Sequence, residues 1–177
     1  MHVTAKVDYA VRMLLEIART QPHSVKSEII ATAQGISPKV LESLAAELRR
    51  ADLVVSRRGP DGGYRLARPA EQISVADVIR AVEGPLASVR GQRPEDVVYS
   101  GVAEPLQRVW IALRVNIRVV LEQVSIADIA TGELPDFITD LVRDPGAWTR
   151  RPAPAGTAST ETGTARADIG SGGRHSS

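Results

Sequence analysis

The sequence of 177 residues predicts a mainly α-helical fold with one small β-hairpin, an α+β chain. Aliphatic residues recur at helical spacing in several segments, and one pair of short β-prone runs flanks a glycine-rich turn. Aromatic residues make up only 3% of the chain, so aliphatic side chains must fill the core. The length suits one core-forming domain with additions.

Two helices are predicted before residue 36. The first runs from Thr4, which can cap its N-terminus, to about Thr20. The second runs over Val25–Ala33 and ends at Gly35, which can take the left-handed cap conformation. Three apolar residues of the second helix are predicted to face inward, namely Ile29, Ile30 and Ala33.

A third helix is predicted from Pro38 to about Arg50, with Ser37 as its N-cap. The residues predicted to be buried are Val40, Leu41, Leu44 and Leu48. The outward side carries short or polar residues, namely Lys39, Glu42, Ser43 and Ala46. Two helices joined by a tight glycine turn form a helix-turn-helix, although an ordinary three-helix bundle has the same pattern.

A hairpin is predicted directly after the third helix, within Leu53–Pro69. Four arginines surround its glycine-rich turn against Asp61 alone, namely Arg57, Arg58, Arg65 and Arg68. A tip without bulky side chains and ringed by guanidinium groups can enter a narrow, negative DNA groove. An isolated hairpin of this kind is more often simply solvated. The order of two helices, turn, helix and hairpin is that of a winged helix-turn-helix, and it is more specific than its parts.

Several segments resemble one known family. They are Tyr9–Arg12, Ile36–Pro38, Ile73–Gly84 and, above all, Ser56–Pro69, which reads SRRGPDGGYRLARP. They are similar to the Rrf2 family of bacterial winged-helix regulators, the IscR, NsrR and CymR type. The resemblance implies a dimeric transcriptional regulator, usually a repressor, with a DNA-binding domain over residues 1–84.

The helix-turn-helix and the resemblance together predict how DNA is bound. The N-terminal end of the third helix would enter the major groove, and the wing would enter the minor groove or clamp the phosphates. The third-helix candidates are Ser37, Pro38, Lys39, Glu42 and Ser43. The wing candidates are Arg57, Arg58, Gly59, Gly62, Gly63, Tyr64 and Arg65. Lesser phosphate candidates are Tyr9, Arg12 and Ser27.

A long helix predicted over Pro105–Val124 is apolar on two sides and therefore needs two partners. Its predicted heptad seam is Leu106, Trp110, Leu113, Ile117, Val120 and Val124. We expect a homodimer in which these helices pack against each other, as in the family; a core helix of a larger single domain is the alternative. Residues 85–145 would form a loop and this dimerisation region, with short turns or helices after it, and residues 146–177 a disordered tail with Trp148 as its last anchored residue.

No cofactor or metal site is predicted. Metal-sensing relatives hold an iron–sulfur cluster with three cysteines between the fourth and fifth helices, whereas Leu86–Glu104 has neither cysteine nor histidine here and the whole chain has no cysteine. No nucleophile–base pair or P-loop is present, so an enzyme is not expected. The lack of cysteines, of a signal peptide and of a membrane-spanning segment makes the cytoplasm the expected location.

The expected function is that of a dimeric, sequence-specific transcriptional regulator, a repressor by resemblance, which binds a pseudo-palindromic operator without an iron–sulfur cluster. The alternative is a winged-helix module that docks a partner protein, and a wing with four arginines favours DNA. The controlling signal stays open. It could be a small-molecule effector between the fourth and fifth helices, a partner protein, an oxidation, or none.

Overall fold

A computed structural model of the chain describes residues 2–59 and 62–149, in which seven α-helices and two β-strands follow one another. The helices are α1 (Ala5–Arg19), α2 (Ser27–Gln34), α3 (Pro38–Arg50), α4 (Val75–Glu83), α5 (Leu106–Leu121), α6 (Ile126–Thr131) and α7 (Asp136–Arg143). The strands β1 (Val54–Arg57) and β2 (Gly63–Leu66) form one antiparallel hairpin between α3 and α4. The predicted fold, mainly helical with a small β wing, is confirmed.

Hydroxyl side chains start the helices where the sequence predicts them. The Oγ1 atom of Thr4 accepts from the backbone N–H of Val7 at 3.2 Å, and Ser37 caps α3 in the same way. A capping box starts α4, because Ser74 and Asp77 each accept from the other's backbone N–H at 3.1 and 3.2 Å. These local hydrogen bonds fix the first turn of each helix.

The second helix begins later than predicted. It starts at Ser27 because Val25 pairs with the wing instead, and no side chain caps it. Only Ile30 and Ala31 of α2 are buried, so the prediction that Ile29 and Ala33 face inward is wrong; Ile29 is 52% exposed. The side of a two-turn helix that meets the core depends on its neighbours, which the short apolar pattern does not specify.

The third helix has the predicted register with one exception. Leu41, Leu44, Ala45 and Leu48 are buried, whereas Val40, predicted to be buried, is 38% exposed. Val40 lies in the first turn, at the edge of the buried side. The N-terminal end of α3 is therefore more open than the apolar pattern indicates.

The hydrophobic core takes in the start of α6, which the sequence suggested only as a short turn or helix. Ile126 is fully buried and belongs to the same cluster as Leu14 and Ile73, and α6 packs against α1. Two backbone bonds hold this position, from Val75 N to Val124 O at 2.9 Å and from Ile126 N to Ile73 O at 2.8 Å. The division at residue 84 stays a prediction, although the core extends well past it.

The segment between α4 and α5 packs along α5. As predicted, it is a loop, with 3₁₀ turns at Pro94–Asp96 and Gly101–Ala103. The Gln107 side-chain amide donates to the carbonyl oxygens of Glu95 and Val97, at 3.0 and 2.9 Å. The Trp110 indole N–H donates to the Tyr99 hydroxyl at 3.1 Å. One side of α5 is therefore covered by its own chain.

The other side of α5 is uncovered, and it carries four large aliphatic residues beside the polar Arg108 and Asn116. We name this surface the α5 apolar face; its exposed members are Val109 at 55%, Leu113 at 44%, Val115 at 49% and Val119 at 45%. The predicted seam runs at an angle to it, because Leu106, Trp110 and Ile117 are half-buried against the loop side. Val124 lies beyond α5 and is only 7% exposed, so the structure removes it from the predicted seam.

The end of the described chain forms a short 3₁₀ turn at Pro145–Trp148 after α7. Trp148 is 77% exposed, although its indole N–H donates to the Val142 carbonyl oxygen at 2.6 Å. The remainder of the predicted tail, from Arg150, lies outside the described residues. Within the described ranges, no helix combines the length and apolar character needed to cross a membrane.

Replacing Ile126 with alanine tests whether α6 belongs to the core of the winged domain. We expect Ile126→Ala to lower the free energy of unfolding by about 2–5 kcal/mol, because it leaves a cavity at a fully buried site. Urea denaturation measures the change. Leu141→Ala, at a site 58% exposed on α7, is the control and should stay within about 0.5 kcal/mol of wild type. A loss below about 1 kcal/mol for Ile126→Ala would contradict the packing.

Candidate nucleic-acid interface

The solvent side of α3 carries the residues that are predicted to contact base edges. Lys39, Glu42, Ser43 and Ala46 are all exposed, so the predicted outward side is confirmed. An ion pair between Lys6 and Glu47 at 2.8 Å ties the helix to α1 from its flank. The buried leucines and this pair hold α3 in place while its N-terminal end, with Ser37 and Pro38, points into solvent.

The wing has one buried and one solvent side. Val54 pairs with Leu66 at the buried base, and Ser56 pairs with Tyr64 on the same side farther out. Val55 faces Arg65 on the opposite, solvent side, where Arg57 lies diagonally next to Arg65. Strand alternation therefore places two arginines together on the solvent side of the hairpin.

A backbone bridge joins the wing to the helix-turn-helix. The N–H of Val25 donates to the Tyr64 carbonyl oxygen at 3.0 Å, and the N–H of Tyr64 donates to the Val25 carbonyl oxygen at 2.8 Å. Gly63 has a φ of 143°, and a Cβ atom there would lie 2.4 Å from the Val25 carbonyl oxygen. Only glycine permits this approach of the two backbones.

The backbones at the two ends of the wing turn, at Gly59 and Gly62, approach each other closely. Gly59 has a φ of 110°, and the N–H of Gly62 donates to its carbonyl oxygen at 2.9 Å. A Cβ atom on Gly62 would lie 2.5 Å from the Arg57 carbonyl oxygen, so this position also requires glycine. The two residues between them in the sequence, Pro60 and Asp61, lie outside the described residues.

Three of the four wing arginines keep their charge exposed. Arg57, Arg58 and Arg65 form no ion pair with any residue in 2–59 or 62–149. Arg68 instead pairs with Asp77 on α4 at 3.0 Å. The structure therefore reduces the wing charge available to a ligand from the four arginines counted in the sequence to three.

A basic groove runs between the wing, the start of α2 and the end of α3. Its volume is about 300 Å³, and it contains the predicted phosphate candidate Ser27. It also contains Lys26 and Arg49, which sequence reasoning missed, and Arg49 donates to the Ser56 hydroxyl at 3.4 Å. The only sequence signal for them was their positive charge beside a helix terminus.

Tyr9 and Arg12, the other two residues predicted to contact phosphates, lie instead at the contact between α1 and α2. The Arg12 guanidinium donates to the Gln34 side-chain oxygen at 2.8 Å, to the Gln34 carbonyl oxygen, and to Asp8 at 3.2 Å. It also lies 5.6 Å from the centre of the Tyr9 ring. The structure thus holds Arg12 and Tyr9 in a joint between helices and does not bring them to the basic groove.

Comparisons with known proteins match this arrangement of helix-turn-helix and glycine-rich wing. The model of the Rrf2 family, described as an iron-dependent transcriptional regulator, matches residues 3–132. The chain belongs to the Rrf2 family. It is therefore a transcriptional regulator that binds DNA, and not an enzyme.

Relatives and solved structures agree with this assignment. The chain is 46% identical over 145 residues to Rv1287 of Mycobacterium tuberculosis, provisionally named an HTH-type transcriptional regulator, which covers 81% of this chain and 90% of that protein. The structure of CymR, the global cysteine regulator of B. subtilis, matches with a TM-score of 0.64 and 30% identity over 75% of this chain and 98% of that one. T. potens IscR matches with a TM-score of 0.60 and 34% identity over 75% and 88% of the two chains.

The residues present do not fit the iron that the family description names. The sequence has no cysteine, so no thiolate can hold an iron–sulfur cluster. Within residues 2–59 and 62–149, no three histidine, aspartate or glutamate side chains lie close enough together to hold a metal ion. This member of the Rrf2 family lacks the donor set for iron in the part of the chain that the structure describes.

Replacing Gly63 with alanine tests the bridge between wing and helix-turn-helix. We expect Gly63→Ala to lower the free energy of unfolding by about 1–3 kcal/mol, because the new Cβ would press on the Val25 carbonyl oxygen in a conformation that suits only glycine. Gly146→Ala is the matched control, since its nearest neighbour is the movable Asp144 side chain at 3.3 Å. Equal stability of the two variants in urea denaturation would contradict the close approach.

Proposed function

We propose that the chain acts as a homodimeric repressor that binds a pseudo-palindromic operator, with α3 in the major groove and the wing in the minor groove. The observation that supports this proposal is the exposure, on one small domain, of the polar side of α3 and of three wing arginines without ion pairs. In the Rrf2 family such a domain is a DNA-binding domain. The proposal includes no iron–sulfur cluster.

The first turns of α3 would read base edges. Lys39 can donate to guanine, Glu42 can accept from the cytosine amino group, and Ser43 can bond to either kind of edge. Ser37 and Pro38 lie at the helix start, where backbone N–H groups and the helix dipole favour a phosphate. Sequence preference would therefore come from few side chains on one helical turn.

The wing and the basic groove would supply the affinity that does not depend on sequence. Arg58 follows β1 directly and would enter the minor groove with Gly59, while Arg57 and Arg65 lie side by side for the adjacent backbone. Lys26 and Arg49 would contact phosphates between the wing and α3. Tyr64, Gly62 and Gly63 would position this surface, since their backbone fixes the wing.

The α5 apolar face is the surface on which we propose that two copies pair. Four large aliphatic side chains, spread over somewhat less than half of the circumference of a 16-residue helix, are between 44% and 55% exposed. Burying such a side against its symmetry mate removes apolar area from water and generates a two-fold axis. Two α3 helices related by that axis would reach half-sites about one helical turn, ~34 Å, apart or a multiple of it.

Arg58→Ala and Glu42→Ala separate affinity from sequence preference. Arg58→Ala should weaken binding to all DNA sequences and reduce the slope of log affinity against log salt by about 1, because one phosphate-neutralising charge is lost. Glu42→Ala should lower discrimination at one base step by about 1–3 kcal/mol. Selection of DNA from a random pool, followed by electrophoretic shifts at several salt concentrations, measures both effects.

Arg143→Ala is the control for these measurements. Arg143 is an exposed arginine on α7, paired with Asp140 at 3.0 Å and remote in sequence from wing and α3. Its removal should leave the affinity and the salt slope at wild-type values. DNA binding that is unchanged by both Arg58→Ala and Glu42→Ala would refute the proposed binding mode.

A charge on the α5 apolar face tests the dimer. Leu113→Glu should convert the protein to a 19.0 kDa monomer, because a carboxylate would be buried without a partner between two α5 helices. Val55→Glu on the wing is the matched control, since its site is 47% exposed against 44% for Leu113. Sedimentation velocity gives the mass of each. A Leu113→Glu protein that still sediments as a dimer would place the interface elsewhere.

A further inference from the structure

A cavity lined by arginines lies between α4, α5 and the loop that joins them. Its volume is about 440 Å³, within the range of small-molecule sites. The loop residues 84–87 form one wall. The polar groups that converge on it are Arg80 from α4, Arg93 and Glu95 from the loop, and Arg114 and Arg118 from α5. Neither the DNA-binding surface nor the α5 apolar face uses these residues.

Positive charge exceeds negative charge around this cavity. Arg80 pairs with Asp77 at 3.7 Å and also with Glu122. Arg118 shares the same Glu122 oxygen, with its Nε atom 3.7 Å away. Two guanidinium groups thus share one carboxylate oxygen. Arg93 forms no ion pair among the described residues. The carboxylates around the cavity therefore do not use all of the guanidinium donors.

Arg114 is the most enclosed of the four arginines. Its side chain is only 16% exposed, and its Nη1 atom pairs with Glu95. Its Nε atom is buried without a hydrogen-bond partner among the described residues. A buried Nε–H without an acceptor is costly, and a second acceptor in the cavity would relieve that cost.

Glu95 is the acidic group that Arg114 contacts in this cavity. A bond to its own backbone lowers the pKa of Glu95, and Arg114 and Arg93 lower it further, so the group is held as an anion. The side-chain amide of Gln107 on α5 donates to the carbonyl oxygen of Glu95, which fixes this part of the loop to the helix. The chain therefore already places one negative group on Arg114 and leaves Arg93 and Arg118 for more.

We infer that this cavity is a binding site for a small anion with two or more negative charges, a polycarboxylate or a phosphate compound. Arginine suits both classes, because its planar fork of donors matches the oxygen pairs of carboxylate and phosphate groups. Arg93 and Arg118 would bind the ligand directly, and Arg114 would bind it beside Glu95 or in its place. The site is independent of the proposed mode of DNA binding.

The arginine cavity and the α5 apolar face lie on the same helix. Val109 and Arg118 are nine residues apart, which is two and a half helical turns, so they point to opposite sides of α5. Val115, in contrast, lies three residues before Arg118 and on the same side of α5, so the cavity borders one edge of the α5 apolar face.

Calorimetric titration of the full chain, without DNA, tests the site. The probes are citrate and inorganic pyrophosphate, at an ionic strength held constant with sodium chloride and without divalent cations that both probes would chelate. We expect saturable binding of one probe molecule per chain. Binding of citrate alone assigns the site to polycarboxylates, and binding of pyrophosphate alone assigns it to phosphate compounds. Failure of both probes to saturate overturns the proposal, whatever the protein does with DNA.

Three variants distinguish the cavity from general attraction to a basic protein. Arg93→Gln and Arg118→Gln should each weaken binding about tenfold, the loss of a charge-assisted hydrogen bond. Glu95→Gln should strengthen binding at least about threefold, because it removes the competing internal charge. Arg108→Gln is the control, since Arg108 is an exposed arginine of α5 outside the cavity. An equal loss in Arg108→Gln and Arg118→Gln, or no gain in Glu95→Gln, would overturn the assignment.

Discussion

Two backbone hydrogen bonds between Val25 and Tyr64 hold the wing against the helix-turn-helix. A two-stranded hairpin is at best marginally stable by itself. The wing therefore depends on the backbone bridge to Val25 and on the buried pair Val54 and Leu66. The bridge also sets where α2 begins, because Val25 cannot be both a bridge residue and a helical one. The glycine at position 63 follows from the same contact, since a side chain there would overlap the Val25 carbonyl group.

The long helix α5 combines three kinds of surface. One side packs on its own chain through Trp110 and Gln107, one presents apolar residues to solvent, and one supplies Arg114 and Arg118 to the arginine cavity. This division explains why its sequence is apolar over more than one stripe and yet contains Arg114, whose side chain is only 16% exposed. A helix with a single function would need only one amphipathic stripe.

Local signals in the sequence predicted much of this structure. Ser37 and Ser74 mark helix starts because their hydroxyl groups act on the next turn of backbone, and the glycines of the hairpin act within the same few residues. The exposed side of α3 could be predicted for a related reason, since Leu41 and Leu44 define its buried side by spacing alone.

What the sequence did not predict arises between residues far apart in the chain. Ile126 enters the core because α6 meets α1, and Arg12 serves a joint with Gln34, 22 positions away. Arg68 belongs to the basic wing by its place in the sequence, but it pairs with Asp77 on α4. The tilt of the uncovered side of α5 against the heptad seam likewise depends on where the loop packs, and no periodicity contains that information.

The backbone bonds around Ile126 and Val124 anchor the far end of α5 to the start of α4, while the loop bonds anchor its near end. A helix that is bonded to its domain at both ends does not rotate freely on that domain. In the proposed dimer the two recognition helices would therefore keep a fixed twist relative to each other. B-DNA turns about 34–36° per base pair. One extra base pair between the half-sites would therefore rotate one half-site about the DNA axis, away from its recognition helix. Torsional mismatch of this kind would make spacer length as selective as the bases themselves.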